Sequence, residues 1–149
     1  MALSPLDFTS ILETEKNTLE IFIEILKKEE DALIQGKIER IDSLASNKSH
    51  LIEKLIQIDN QRNEYLQNQG LTIEKAAIKN WLQEQYADQS EVQVLWDELL
   101  ALAHVAQKIN QSNGLIVWTR LQHNQRAFSA LHGAAGNISL YGPKGQTYI

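Results

Sequence analysis

The residue types that most often do chemistry are scattered in this sequence. The four histidines, His50, His104, His123 and His132, lie in three predicted neighbourhoods, and no two have the i, i+4 spacing of a helical metal motif. No Glu-x-x-His pair indicates a di-iron bundle, and no glycine-rich loop follows a strand to hold phosphate. We therefore predict that the protein is not an enzyme and that it uses neither a metal nor a cofactor.

The composition predicts one helical domain. The 149 residues are 43% hydrophobic and 22% charged, and seven glycines and two prolines leave little material for turns. Elements should therefore be few and long. The absence of cysteine excludes disulfides and fits a reducing compartment.

The charge and the hydropathy of the sequence limit which partners and which cellular location we expect. The net charge of −5 argues against binding of nucleic acid, which needs clustered Lys and Arg. No apolar run approaches the roughly 20 residues of a membrane span. The N-terminal "MALSPLDFTSILETEKN" lacks the basic start and apolar core of a secretory signal. We expect a cytoplasmic protein with no direct membrane insertion.

The first half of the chain predicts two long helices. "SPLD" at residues 4–7 is typical of a helix start, with Ser4 as the cap, and Gly36 is a typical stop. A second helix should begin near Ile38 and end at "NQG", residues 68–70. The expected buried seam of the first helix repeats at spacings of four and three: Phe8, Leu12, Glu15, Leu19, Phe22, Leu26, Glu29 and Leu33. The second repeats every seven residues, in Leu44, Leu51, Ile58 and Tyr65, and is flanked by polar Lys48, Asp59 and Arg62.

The second half predicts a short helix and then a very long one. Thr72 is the expected cap of the short helix, whose apolar stripe would hold Ile73, Ala77, Trp81 and Tyr86. "ADQS" at 87–90 should break the chain, and the long helix should run from about residue 90 to His132, with Trp96 in the core.

The expected fold class is therefore all-α. We predict an elongated antiparallel hairpin or bundle of three long helices with one short crossover helix, spanning residues 1–132. Residues 133–149 hold four of the seven glycines and no helical periodicity, so we expect a mobile, turn-rich C-terminal tail.

A binding surface is indicated between residue 105 and the C-terminus. The run "GLIVW" at 114–118 puts apolar atoms on most of a helix circumference, which indicates burial on two sides or a sticky face. Asn113 is interpreted as a buried amide that fixes helix register, and Gly114 in a helix is better tolerated where another backbone comes close.

Two stretches resemble the FlgN-type flagellar export chaperones. "NQSNGLIVWTRLQHNQRAFSALHG" at 110–133 is similar to the family's Asn-x-x-Asn-Gly, apolar turn and Ala-Leu pair, and "LYGPKGQ" at 140–146 to its terminal Leu-Tyr-Gly-x-x-Gly-Gln. The second helix matches the family more loosely, in Leu44, Lys48, Leu51, Leu55 and Arg62.

This resemblance implies a function. It implies a cytoplasmic chaperone that binds the hook-filament junction proteins FlgK and FlgL, keeps them from premature assembly and delivers them to the flagellar export gate and ATPase complex. It implies that Tyr141 contacts the export apparatus and that cargo binds at about 105–132. The implied cargo-binding residues are Asn113, Gly114, Leu115, Ile116, Trp118, Leu121, Phe128 and Leu131.

One alternative from another class stays open at this point. A coiled-coil adaptor that oligomerises through the long C-terminal helix would show the same periodicity. The sequence also leaves open whether the free protein is a monomer or a homodimer.

Overall fold

The computed structural model describes the backbone of residues 5–132 and the side chains of residues 8–126. These residues form four helices and no strand: α1 (Pro5–Gln35), α2 (Ile38–Asn68), α3 (Lys75–Gln85) and α4 (Ser90–His132). The all-α helical bundle of three long helices and one short helix is therefore confirmed. The expected cap Ser4 and the C-terminal segment from residue 133 lie outside the described residues.

Both long helices of the first half end in the same way. Gly36 and Gly70 have φ angles of 69° and 80°, a conformation that costs glycine nothing. The amide of Lys37 donates to the carbonyl of Ala32 at 2.9 Å, and the amide of Leu71 donates to Leu66 at 3.1 Å. These six-to-one bonds define Schellman motifs, so both predicted helix stops are confirmed.

The predicted seam of α1 is the buried face of that helix. All eight positions with the four-three spacing are buried, including the two carboxylates, Glu15 and Glu29. Since the spacing keeps one stripe on one side of a helix, burial of every member confirms the predicted phase.

The described chain divides into two compact units. Unit 1 comprises residues 5–22 and His50–Val105, and unit 2 comprises Ile23–Ser49 and residues 106–132. The helices α1, α2 and α4 each contribute one stretch to each unit, whereas α3 belongs to unit 1 alone.

An aromatic cluster forms much of the core of unit 1. The ring of Phe8 stacks on Tyr65 with centroids 4.9 Å apart and meets Trp81 edge-on at 5.2 Å. Tyr86 lies 5.9 Å from Trp81, and burial raises the pKa of its phenol to about 12. Aromatic pairs in these geometries stabilise a core beyond their buried area, so this cluster fixes α3 to α1 and α2.

A polar group around the buried carboxylate of Glu15 also lies in unit 1. Arg62 on α2 donates to Glu15 on α1 and to Asp59 one turn earlier, and its guanidinium lies 5.6 Å from the ring centroid of Trp96. Burial raises the pKa of Glu15 above its usual value, although the charge of Arg62 lowers it in part. Trp96 is buried, which confirms its expected place in the core.

The expectation for the start of α3 is wrong. The helix begins at Lys75 after Glu74, so Thr72 is not its cap, and no side chain caps it. The predicted stripe residue Ile73 is 50% exposed, whereas Ile78 and Leu82 are buried. The other predicted stripe residues, Ala77, Trp81 and Tyr86, are half-buried or buried, so only Ile73, which precedes the helix, departs from the predicted stripe.

Candidate binding face on α4

A buried network of side chains holds α4 against α1 and α2 in unit 2. Lys48 on α2 lies between Glu29 on α1, at 3.3 Å, and the amide oxygen of Asn110 on α4, at 2.6 Å. Asn113 on α4 donates to Glu29 at 2.9 Å and to the backbone carbonyl of Leu26 at 3.0 Å. The charges of Lys48 and Glu29 are therefore paired and hydrogen-bonded, as buried charges must be.

The network sets which face of α4 points outward. Asn113 is only 1% exposed, and Gly114 is also buried. The side-chain amide of Asn113 therefore has the geometry of a contact that fixes the register of α4 on α1. A cargo segment can reach Asn113 only if its bonds to α1 are broken.

A second contact fixes α4 about two to three turns further along. Arg120 donates to the carbonyl of Ile34 at 2.9 Å, at the end of α1. The last turn of α1 contains no basic residue of its own. Because a helix C-terminus carries partial negative charge, the guanidinium of Arg120 supplies the cation that favours this end.

Between these contacts α4 presents an open depression in unit 2. Its volume is about 340 Å³, and its lining residues are Ser112, Leu115, Ile116, Thr119 and Arg120. Leu115 is 57% exposed, while Ile116 is half-buried. An exposed leucine in a depression with a polar rim is the kind of surface that binds an apolar side chain of another molecule.

The other residues implied by the resemblance are only partly described. Trp118 and Leu121 are half-buried on α4. The side chains of Phe128 and Leu131, and the whole of Tyr141, lie outside the described residues. The structure thus brings Leu115 and Ile116 together at one depression and places Asn113 and Gly114 behind it.

Sequence reasoning missed several residues of this site. Ser112, Thr119 and Arg120 were not singled out, and Lys48 and Glu29 were not recognised as partners of each other. The available signal for this pair was that polar Lys48 interrupts the apolar stripe of the second helix while the seam of the first helix contains a carboxylate, Glu29. It could not be used without the pairing of the two helices.

The described part of the chain shows neither a cluster of metal ligands nor a helix that could span a membrane. Within it, no three His, Asp or Glu side chains are grouped so that they could hold a metal ion. None of the helices in that part is both long enough and apolar enough to cross a membrane.

Comparison with known proteins decides the family. The family described as "FlgN protein" matches residues 1–149. The chain belongs to the FlgN family. FlgN proteins are chaperones of flagellar export, so the resemblance inferred from residues 110–146 is confirmed.

Two relatives of the FlgN family support this assignment. The "Flagella synthesis protein FlgN" of Yersinia enterocolitica serotype O:8 / biotype 1B (strain NCTC 13174 / 8081) is 28% identical over 136 residues, covering 90% of this chain and 84% of the relative. A protein of the same name from Yersinia enterocolitica is 29% identical over 129 residues, covering 85% and 80%. No solved structure matches the chain significantly.

Proposed function

We propose that this chain is a cytoplasmic chaperone that binds the hook-filament junction proteins FlgK and FlgL before export. It prevents their premature assembly and delivers them to the flagellar export gate and ATPase complex. The observation that carries this proposal is the match of the FlgN family over residues 1–149. The chaperone acts by binding alone and catalyses no reaction.

The cargo site of this proposal is the outward side of α4 in unit 2. Leu115 and Ile116 line the depression. Trp118, Leu121, Phe128 and Leu131 are included in the proposed site because the family resemblance implies them. Asn113 belongs to the site as the residue whose bonds hold this stretch of α4 on α1, and Gly114 is the buried residue beside it. A cargo helix that lays apolar side chains along α4 would bind as other helix-in-groove partners do.

Leu115→Asp is expected to weaken binding of FlgK and FlgL at least about tenfold, because a charge at the centre of the depression cannot be buried against an apolar cargo residue. Isothermal titration of the purified full chain with each junction protein measures this change. Since Leu115 is exposed, circular dichroism should show an unchanged fold.

Val94→Asp is the matched control, because Val94 is 52% exposed on the same helix but belongs to unit 1. It should bind cargo as the wild type does. Equal cargo binding by Leu115→Asp and the wild type would show that the depression is not part of the cargo site. A wild-type chain that binds neither junction protein would refute the proposed function.

A separate role is proposed for Tyr141, which contacts the export apparatus while α4 holds the cargo. Tyr141→Ala is expected to retain cargo affinity and to lose secretion of FlgK and FlgL into the medium. Tyr148→Ala, a change of the same kind seven residues later, should secrete normally. If Tyr141→Ala loses cargo affinity instead, this tyrosine belongs to the cargo site.

A further inference from the structure

The charges of the chain are divided unevenly along its length. All 19 Asp and Glu residues lie within residues 1–98, which hold 10 of the 14 Lys and Arg residues and therefore carry a net charge of −9. Residues 99–149 contain no acidic residue and four basic ones, a net charge of +4. The overall charge of −5 thus conceals a basic C-terminal third.

The outward side of α4 in unit 2 carries three of these four basic residues. Positions with alternating spacings of four and three lie on one side of a helix, and one such series here is exposed throughout. This basic stripe consists of Lys108, Ser112, Leu115, Thr119, Gln122 and Arg126. Arg120 borders it at the depression.

These basic residues have no acidic partner in the part of the chain that the structure describes. The ion pairs found there involve Lys16, Lys48 and Arg62, and none involves Lys108, Arg120 or Arg126. Arg120 uses one of its five N–H donors on the carbonyl of Ile34. Charge on the stripe is therefore available to another molecule.

We infer that the occupant of this stripe is an acidic amphipathic helix of the cargo, with carboxylates that meet Lys108 and Arg126 and an apolar side chain that enters the depression at Leu115. The inference rests on the proposed function and specifies the partner of the same site.

The dimensions of the stripe define the recognised segment. Lys108 and Arg126 are 18 positions apart, which at 1.5 Å per residue is about 27 Å. A helix lying along the stripe would carry carboxylates about five turns apart with an apolar residue between them. A purely polyanionic partner would not use Leu115, which is exposed at the centre of the stripe.

Complementary charge also suits a carrier. Charges at the exposed rim of an interface increase the association rate and the selectivity more than the affinity, and they are screened by salt. A cargo helix recognised through such charges would bind quickly and selectively and would still be released.

The test is a set of charge reversals with a matched control. Lys108→Glu with Arg126→Glu leaves the contact of Arg120 with α1 intact, and adding Arg120→Glu completes a triple variant. The control triple is Lys27→Glu, Lys54→Glu and Lys79→Glu, which changes the net charge equally at exposed sites outside the stripe. Affinity for FlgK and FlgL is measured at about 50 mM and about 300 mM NaCl.

The stripe triple variant should weaken binding at least about tenfold, the double variant somewhat less, and the control triple about twofold or less. Added salt should weaken binding by the wild type but not by the stripe variants, because the reversed charges repel an acidic partner and salt screens that repulsion too. Junction-protein binding by the wild type with equal effects of the two triples would overturn the inference and leave the proposed function standing.

Two designed helical peptides make the inference testable without the junction proteins. They share their leucine positions, and one carries Glu where the other carries Lys. The wild type should bind the acidic peptide at least about tenfold more tightly. If this preference holds while FlgK and FlgL do not bind, the proposed cargo is wrong, but the selectivity of the stripe for an acidic helix is retained. No preference would overturn the inference, as would sedimentation in which the wild type dimerises and the stripe triple variant does not.

Discussion

Lys48→Met is expected to destabilise the protein by about 3 to 5 kcal/mol, because it leaves the carboxylate of Glu29 buried without its counter-charge. Glu29 is 1% exposed and would retain only its bond from Asn113. Urea denaturation followed by circular dichroism measures the change in the free energy of unfolding.

The double variant Lys48→Met, Glu29→Gln should recover most of this loss. The Gln side-chain oxygen can still accept from Asn113, and no unpaired charge remains. Lys54→Met, an exposed change on the same helix, should stay within about 0.5 kcal/mol of wild type. Further destabilisation in the double variant would show that the ion pair is not what holds this part of unit 2.

Phe8→Ala is expected to destabilise unit 1 by about 3 to 5 kcal/mol, the usual cost of removing a buried aromatic ring. Phe8 is fully buried and contacts the rings of Tyr65, Trp81 and Tyr86. The loss should also appear in the tryptophan fluorescence, because Trp81 loses its edge-on neighbour.

Two controls separate packing from helix propensity at this position. Ile21→Ala, an exposed change on α1, should cost less than about 1 kcal/mol. Phe8→Leu keeps most of the apolar volume and should cost clearly less than Phe8→Ala. A small effect of Phe8→Ala would mean that the aromatic cluster does not support unit 1.

Much of the fold follows from local patterns in the sequence. The four-three spacing from Phe8 to Leu33 identified the buried side of α1, and the two glycines at 36 and 70 identified the ends of α1 and α2. These predictions succeeded because helix phase and Schellman geometry depend on residues close in sequence.

Other features depend on contacts between distant residues, which no local pattern specifies. The seam placed Glu15 and Glu29 inside without saying what would neutralise them. In the structure Arg62 pairs with Glu15 and Lys48 pairs with Glu29, and both cations lie on α2. Glu15 and Glu29 are two heptads apart in sequence, as are Lys48 and Arg62. The start of α3 was missed because no side chain caps that helix.

The candidate site was only partly predictable for the same reason. The apolar run at 114–118 identified the stretch of α4 where the depression lies, but not which of its residues point outward. That choice depends on Asn110 and Asn113, whose partners lie on α1 and α2. Once they face inward, Leu115 must face outward, since the residues lie on opposite sides of the helix.

The central claim is that cargo binds along the outward side of α4 in unit 2. Amide hydrogen exchange of the full chain, measured free and with saturating FlgK or FlgL, tests this claim most directly. We predict that cargo slows exchange across residues 108–126 and leaves the stretch of α4 around Val94 unchanged. Slower exchange confined to unit 1, with residues 108–126 unaffected, would contradict the account.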